Sequence, residues 1–252
     1  MVTLENLSYQ IKDKKILHDI SCSFESGEIH LILGPNGAGK STLVKLISSE
    51  LKPTTGKIYI QNQPIQKFSL KELATFRAVL SQNIELSFPL SVFEVVLMGR
   101  YPHFEGKPSH TDLNICEHTM QLFDVFTLKD RNYLTLSGGE KQRVQFARVF
   151  AQIWKSVENK PRLLLLDEPL TFLDVFYQYD LMDKLKEFVA QNPDITVIGV
   201  IHDLNIAAKF SNKVLLLKNQ EITDYGCPKD ILTEKNILKV FNIVVKNHFE
   251  VL

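Results

Sequence analysis

Gly34-Pro35-Asn36-Gly37-Ala38-Gly39-Lys40-Ser41-Thr42 follows the apolar run 29–33 and opens a helical pattern carried by Leu43, Val44, Leu46 and Ile47. An unbroken apolar run, a glycine-rich turn and then 3.6-residue periodicity read as strand, loop and helix. Backbone N–H groups of such a loop and of the helix N-terminus converge on one anion, and a polyphosphate is what they can wrap. Lys40 is placed to reach the β- and γ-phosphates, and the Ser41 hydroxyl to hold Mg²⁺. The expectation is a nucleotide site on an α/β fold.

At 252 residues the chain can form one large domain or two small ones with a substantial core. Hydrophobic residues at 44% and charged residues at 23% are ordinary for a globular protein. Lys+Arg and Asp+Glu both number 29, so no broad field invites nucleic acid. Cys22, Cys116 and Cys227 are far apart and odd in number, which fits a reducing compartment and not a disulfide framework or zinc site. The first residues do not read as a signal peptide, and no apolar run approaches bilayer-crossing length. Work at a membrane would therefore need another chain to span it.

Residues 2–8 and 16–24 are short β-like runs, and Ser26-Gly27 turns into the strand before the loop. Tyr9 follows the first run. Alone it reads as a half-buried core aromatic; upstream of a phosphate loop it is a candidate to stack on adenine. Ser69 with Glu72 and Ser91 with Glu94 have capping-box spacing and open helices. Between them, 78–82 reads as a strand ending in Gln82. That residue is either a solvated amide or a contact to Mg²⁺ or the attacking water. From 91 to 153 the pattern turns helical, with Leu113, Cys116, Met120 and Phe123 on one face, as a helical insert would show. Gly99-Arg100-Tyr101-Pro102-His103 interrupts it, and spacing alone makes Arg100 and His103 part of an exposed loop. His103 and His110 are too sparse for a metal site.

Leu136-Ser137-Gly138-Gly139-Glu140 precedes a long helix through Val144, Ala147, Arg148 and Ala151. Ser137 and Glu140 again have capping-box spacing, and two glycines at a helix N-terminus leave room for an anion. By itself this is an ordinary capped helix. Leu163-Leu164-Leu165-Leu166 is a continuous apolar run, as a parallel strand covered on both faces requires, and it ends in Asp167-Glu168-Pro169. Acids at the carboxyl end of such a strand sit where open α/β sheets gather chemistry. Asp167 is expected to bind Mg²⁺ and Glu168 to polarise the attacking water. Residues 195–201 form a second buried strand that delivers His202, a structural histidine or a γ-phosphate ligand. Residues 213–217 and 221–223 finish the strands, and 228–252 are short amphipathic pieces.

Together these motifs resemble an ATP-binding-cassette ATPase, the motor subunit of ABC transporters, from end to end. Tyr9 stands where that family's adenine-stacking aromatic lies, 34–42 match its Walker A loop and Gln82 its Q-loop glutamine. Residues 136–140 match its signature, 163–168 its Walker B strand, Leu173-Asp174 its D-loop and His202 its switch histidine. The resemblance implies a P-loop NTPase (RecA-like) core at 1–84 and 158–226, with an N-terminal antiparallel β subdomain. It also implies a helical subdomain at 85–157 and a C-terminal tail at 227–252. ATP and Mg²⁺ follow as cofactors, the metal held by Ser41, Gln82 and Asp167. Catalysis would fall to Glu168, His202, Gln82 and Lys40. Nucleotide contacts would come from Tyr9, the quoted loop, Ser137, Gly138, Gly139, Glu140 and Asp174.

In that family two cassettes face each other, so the Ser137–Gly139 stretch of one copy would act on nucleotide held by the other. The implied partners are a second copy, two permease chains and an extracytoplasmic binding protein, with no nucleic acid. The implied location is the cytoplasmic face of a bacterial inner membrane. Two departures stand out: Glu140 replaces the commoner Gln, and Thr171-Phe172-Leu173-Asp174 replaces Ser-Ala-Leu-Asp. The stretch 95–103 is similar to the insert of ATPases importing ferric siderophores, vitamin B12 and hemin. Ala151-Gln152-Ile153-Trp154, with extra residues before Pro161, resembles the hemin branch. A DNA-repair ATPase of the family would carry a long coiled-coil insertion, absent from this sequence, and a module that does not hydrolyse would lack Glu168 or His202.

Overall fold

β1 (Val2–Ile11) and β2 (Lys14–Phe24) pair as an antiparallel hairpin that buries Leu4, Leu7, Leu17 and Ile20 and turns polar neighbours outward. The computed structural model describes residues 1–82, 86–157 and 160–244. β3 (Ile29–Leu33), buried at every residue, runs into the phosphate loop and α1 (Lys40–Ile47). β4 (Thr55–Ile60) and the two-residue β5 (Gln63–Pro64) return to the hairpin's sheet, and α2 (Leu70–Phe76) leads into β6 (Arg77–Leu80). Next come α3 (Val92–Leu97), a 3-10 turn at Met98–His103, α4 (His110–Leu122) and α5 (Gly138–Ile153). β7 (Arg162–Asp167), α6 (Val175–Gln191), β8 (Ile195–Val200), α7 (Leu204–Phe210) and β9 (Lys213–Lys218) alternate in the α/β manner. β10 (Glu221–Gly226), α8 (Pro228–Ile231) and α9 (Glu234–Phe241) complete the described chain.

Two sheets result. The smaller is antiparallel in the order β2-β1-β4-β5, and the larger has the order β10-β9-β3-β8-β7-β6. Every pairing from β9 to β6 is parallel, and β10 closes one edge antiparallel to β9. The tetra-leucine run lies in β7, between β8 and the edge strand β6, and is buried on both sides. Leu163 and Leu165 face a core shared with α1 and the smaller sheet, while Leu164 and Leu166 face the core of the helical layer. That two-sided burial is why the run carries no polar alternation.

The expected capping boxes at Ser69, Ser91 and Ser137 all form, with each serine accepting from the backbone N–H three residues on and each glutamate accepting from the serine N–H. A fourth, Ser109 with Asp112, opens α4. Its acid also reaches Arg100, and this corrects the exposed-loop reading. Arg100 is 6% exposed; its Nε donates to Asp112 Oδ1 at 2.9 Å and its Nη1 to Ala151 O at 2.7 Å. His103 is half-buried against Gln152 O, so of the three only Tyr101, 55% exposed, faces solvent. The last turns of α5 are tied to the core: Gln152 Nε2 donates to Ala74 O and Arg77 O, and Arg162 Nη1 to Ile153 O and Trp154 O. The expected subdomain limits at 84/85 and at 158, and the tail beyond 244, fall on residues outside the described ones. Among the described residues no helix is long and apolar enough to cross a membrane.

Candidate functional site

Four strands of the larger sheet end at one place. The loop after β3, Gln82 beyond β6, Glu168 after β7 and His202 after β8 line a single cavity of about 700 Å³. This is the carboxyl edge of a parallel sheet, where side chains from several strands converge. The loop itself is shaped by its neighbours. Gly39 has φ +105°, and a Cβ there would stand 2.7 Å from Ile16 O and 2.6 Å from Leu17 Cδ2, so only glycine fits. Lys40 is 6% exposed and folds back on the loop, its Nζ donating to Gly34 O at 2.8 Å and Pro35 O at 3.0 Å. Burial pulls its pKa below the ordinary lysine value, against the opposing pull of Glu168 and Asp167.

Ser41 Oγ donates to Asp167 Oδ1 at 2.9 Å. Burial raises the Asp167 pKa, Ser41 opposes that shift, and the charge of Glu168 reinforces it. Glu168 stands between two partners: Gln82 Nε2 donates to its Oε2 at 2.7 Å, and His202 Nε2 lies 2.9 Å from its Oε1. Its backbone is in the left-handed region at φ +52°, held there by N–H donation to Val200 O. Non-glycine residues rarely adopt this conformation, and such strain concentrates at working sites.

The oxygen set fits magnesium. A serine hydroxyl and a carboxylate lie in contact, with the Gln82 amide oxygen on the same cavity, all hard donors. Among the described residues no group of three or more His, Cys, Asp or Glu side chains could hold a metal alone. Magnesium commonly takes one or two protein oxygens and completes its shell with phosphates and water.

Ser137, Gly138, Gly139, Glu140 and Asp174 lie apart from this cavity, on a second one of about 500 Å³. Ser137 caps α5, and Glu140 is turned back on it, with Oε2 accepting from Ser137 N at 2.8 Å. Those hydrogen bonds hold the Glu140 pKa below the usual glutamate value. Asp174 caps α6 by accepting from Tyr177 N at 3.0 Å. Phe172 is 71% exposed, at φ +68°, and lies across Gly138, where a Cβ would stand 3.3 Å from its own.

Tyr9 is not among the residues lining the cavity, but it pairs across the hairpin with Leu17, whose side chain meets Gly39 of the loop. Tyr9 is half-buried and packs on the core between α1 and the smaller sheet. The cavity wall beyond Gly39 is made instead by Lys14, Lys15, Ile16 and Gln220. Sequence reading missed these four because residues at the ends of hairpin strands read as solvated or ordinary strand surface. The one available signal was the pair Lys14-Lys15 opening β2 ahead of its apolar residues.

Comparison with known proteins gives a consistent result. The family model described as "ABC transporter" matches residues 17–171. The Hemin import ATP-binding protein HmuV of Pseudoalteromonas translucida (strain TAC 125) is 43% identical, over 96% of this chain and 93% of its own. A structure described as a metal-chelate type ABC transporter, inward-facing, aligns with TM-score 0.79 and 29% identity over 96% of this chain and 89% of its own. A dimeric ATP-binding cassette in a post-hydrolysis state, bound to ADP and Pi, aligns with TM-score 0.78 and 27% identity over 90% and 99%.

Proposed function

The chain belongs to the ABC transporter family, and on that premise we propose that it is the ATP-hydrolysing subunit of a bacterial hemin importer, peripheral on the cytoplasmic face of the inner membrane. Two copies dock on a two-chain permease that receives cargo from an extracytoplasmic binding protein. The observation that carries the hydrolytic part is Glu168, held between Gln82 and His202 above the phosphate loop.

In this reading the loop amides wrap the phosphates, and Lys40 exchanges its loop carbonyls for β- and γ-phosphate oxygens. Ser41, Asp167 and Gln82 would hold Mg²⁺, which would supply Lewis-acid neutralisation of the developing phosphate charge. Glu168 polarises the attacking water, and His202 turns from Glu168 to the γ-phosphate as the site fills. Ser137, Gly138 and Gly139 of a second copy close over that phosphate, with the α5 N-terminus as anion site. Within each copy the RecA-like core carries the phosphate chemistry, and the helical subdomain carries Ser137 to its partner. ATP drives transport only because it binds the closed pair better than the open one.

The cargo reading is supported by the hemin-import relatives and by the 151–154 stretch. The test is uptake by liposomes holding the ATPase with its permease, offered hemin, a ferric siderophore or vitamin B12. ATP-dependent uptake of hemin alone is expected. Uptake of either rival without hemin overturns the cargo and keeps the importer. Loss of turnover in Glu168→Gln is the matching test of the catalytic assignment.

A further inference from the structure

β7 delivers Glu168 into a turn that begins and ends in the left-handed region, with Glu168 at φ +52° and Phe172 at φ +68°. Residues with a Cβ enter that region at a cost, so the turn has to be held. Packing alone does not hold it, because a cavity of about 240 Å³ lies against Glu168, Pro169, Leu170 and Thr171. Hydrogen bonds do. Glu168 N donates to Val200 O at 3.1 Å, and Gln142 Nε2 donates to Pro169 O at 2.6 Å. The Glu168 carbonyl accepts from Thr171 twice, from Oγ1 at 3.0 Å and more weakly from N at 3.4 Å. Short hydroxyl side chains make such local bonds to the backbone at turns. The Val200 and Gln142 ties reach across to β8 and α5. The Thr171 bond lies within the turn, so it stays with Glu168 however α5 is tilted.

We propose that Thr171 is a positioning residue for hydrolysis. Its hydroxyl, by holding the Glu168 carbonyl, fixes the backbone that aims the Glu168 carboxylate between Gln82 and His202. This rests on the reading of Glu168 above as the group that polarises the attacking water. Thr171 lines neither the phosphate-loop cavity nor the Ser137 cavity, so it acts through Glu168. Without the hydroxyl the turn relaxes out of the left-handed region into the neighbouring free space, and the carboxylate moves off its line. A misplacement of about 1 Å at a reacting group can cost on the order of a hundredfold in rate. Nucleotide is held by the loop and Lys40, which the change leaves alone. The loss therefore falls on kcat and not on KM.

The experiment is steady-state ATP hydrolysis by the full chain with Mg²⁺, comparing wild type, Thr171→Val and Thr171→Ser. Valine keeps the branched shape and removes the donor; serine keeps the donor. Thr171→Val should lose between about tenfold and a hundredfold in kcat, with KM for ATP within about twofold. Thr171→Ser should restore kcat to within about threefold of wild type. In the Glu168→Gln background, Thr171→Val should still pair with ATP as its parent does when followed by sedimentation. A kcat unmoved by valine, a loss that serine does not restore, a rise in KM matching the fall in kcat, or lost pairing each overturns the inference. In all of these cases wild-type turnover that Glu168→Gln abolishes leaves the hydrolytic reading standing. No turnover in wild type, or full turnover in Glu168→Gln, overturns that reading and this inference with it.

Discussion

Asp167 shows what a site gives up to be ready. Its carboxyl is 5% exposed and its pKa raised, so the folded chain without metal holds the protonated form more tightly than the unfolded chain does. The sign follows: this residue's contribution is present below the ordinary aspartate pKa and is lost as pH rises through the raised value. Asp167→Asn should therefore stabilise the nucleotide-free protein at neutral pH, by about 2–4 °C in Tm, and abolish the further gain from Mg²⁺ with ATP. A melt unchanged by the substitution would show that Ser41 already offsets the burial. Glu140 has the opposite shift and a different lesson. Its carboxylate is spent on the Ser137 N–H, a bond that a glutamine oxygen can replace, so Glu140→Gln should keep most ATPase activity. Ser137→Arg fills the same cavity with a long side chain and should remove nearly all of it. A severe loss with Glu140→Gln would assign that carboxylate a role beyond its cap.

At the scale of elements, the insert is held by charge as well as apolar packing. Breaking a buried ion pair by removing one partner costs about 3–5 kcal/mol. Arg100→Ala should thus lower Tm by about 10 °C, because Asp112 is left buried without its cation. Tyr101→Ala, at an exposed ring that meets Phe104 edge-on, should keep the melt and lose permease-stimulated turnover. Equal melts for the two variants would refute this division between a structural and a docking residue. The same contrast explains what the sequence disclosed. Capping boxes, the two-faced leucine strand and the phosphate loop obey local rules, and all were legible. The partnership of Arg100 with Asp112 spans a turn that no periodicity describes. The place of Tyr9 was hidden by irregular register between β1 and β2, which shifts on either side of that residue. Lys14, Lys15 and Gln220 meet only because two hairpin turns from opposite ends of the chain arrive at one loop.

At the scale of the whole molecule, the proposed pairing gives each copy half of two sites. The cavity with Glu168 and the cavity with Ser137 share no lining residue, as the proposed pairing of two copies requires. Specific ATPase activity should rise with protein concentration, and Glu168→Gln should sediment as a dimer with ATP and as a monomer without it. Concentration-independent turnover would place the complete site in a single copy. The bonds at the end of α5 set the size of the movement such pairing requires. Gln152 and Arg162 anchor one end of a sixteen-residue rod whose other end carries Ser137. From Gln152 to Ser137 is about 22 Å at 1.5 Å per residue. With its fulcrum at the anchored end, a swing of about 10° carries Ser137 through about 4 Å, more than the length of a hydrogen bond. In the proposed assembly, a modest tilt imposed on the insert by a permease would be magnified at the tip once the Gln142 bond to Pro169 O gives way, with α5 as a lever and Ser137 as its working point.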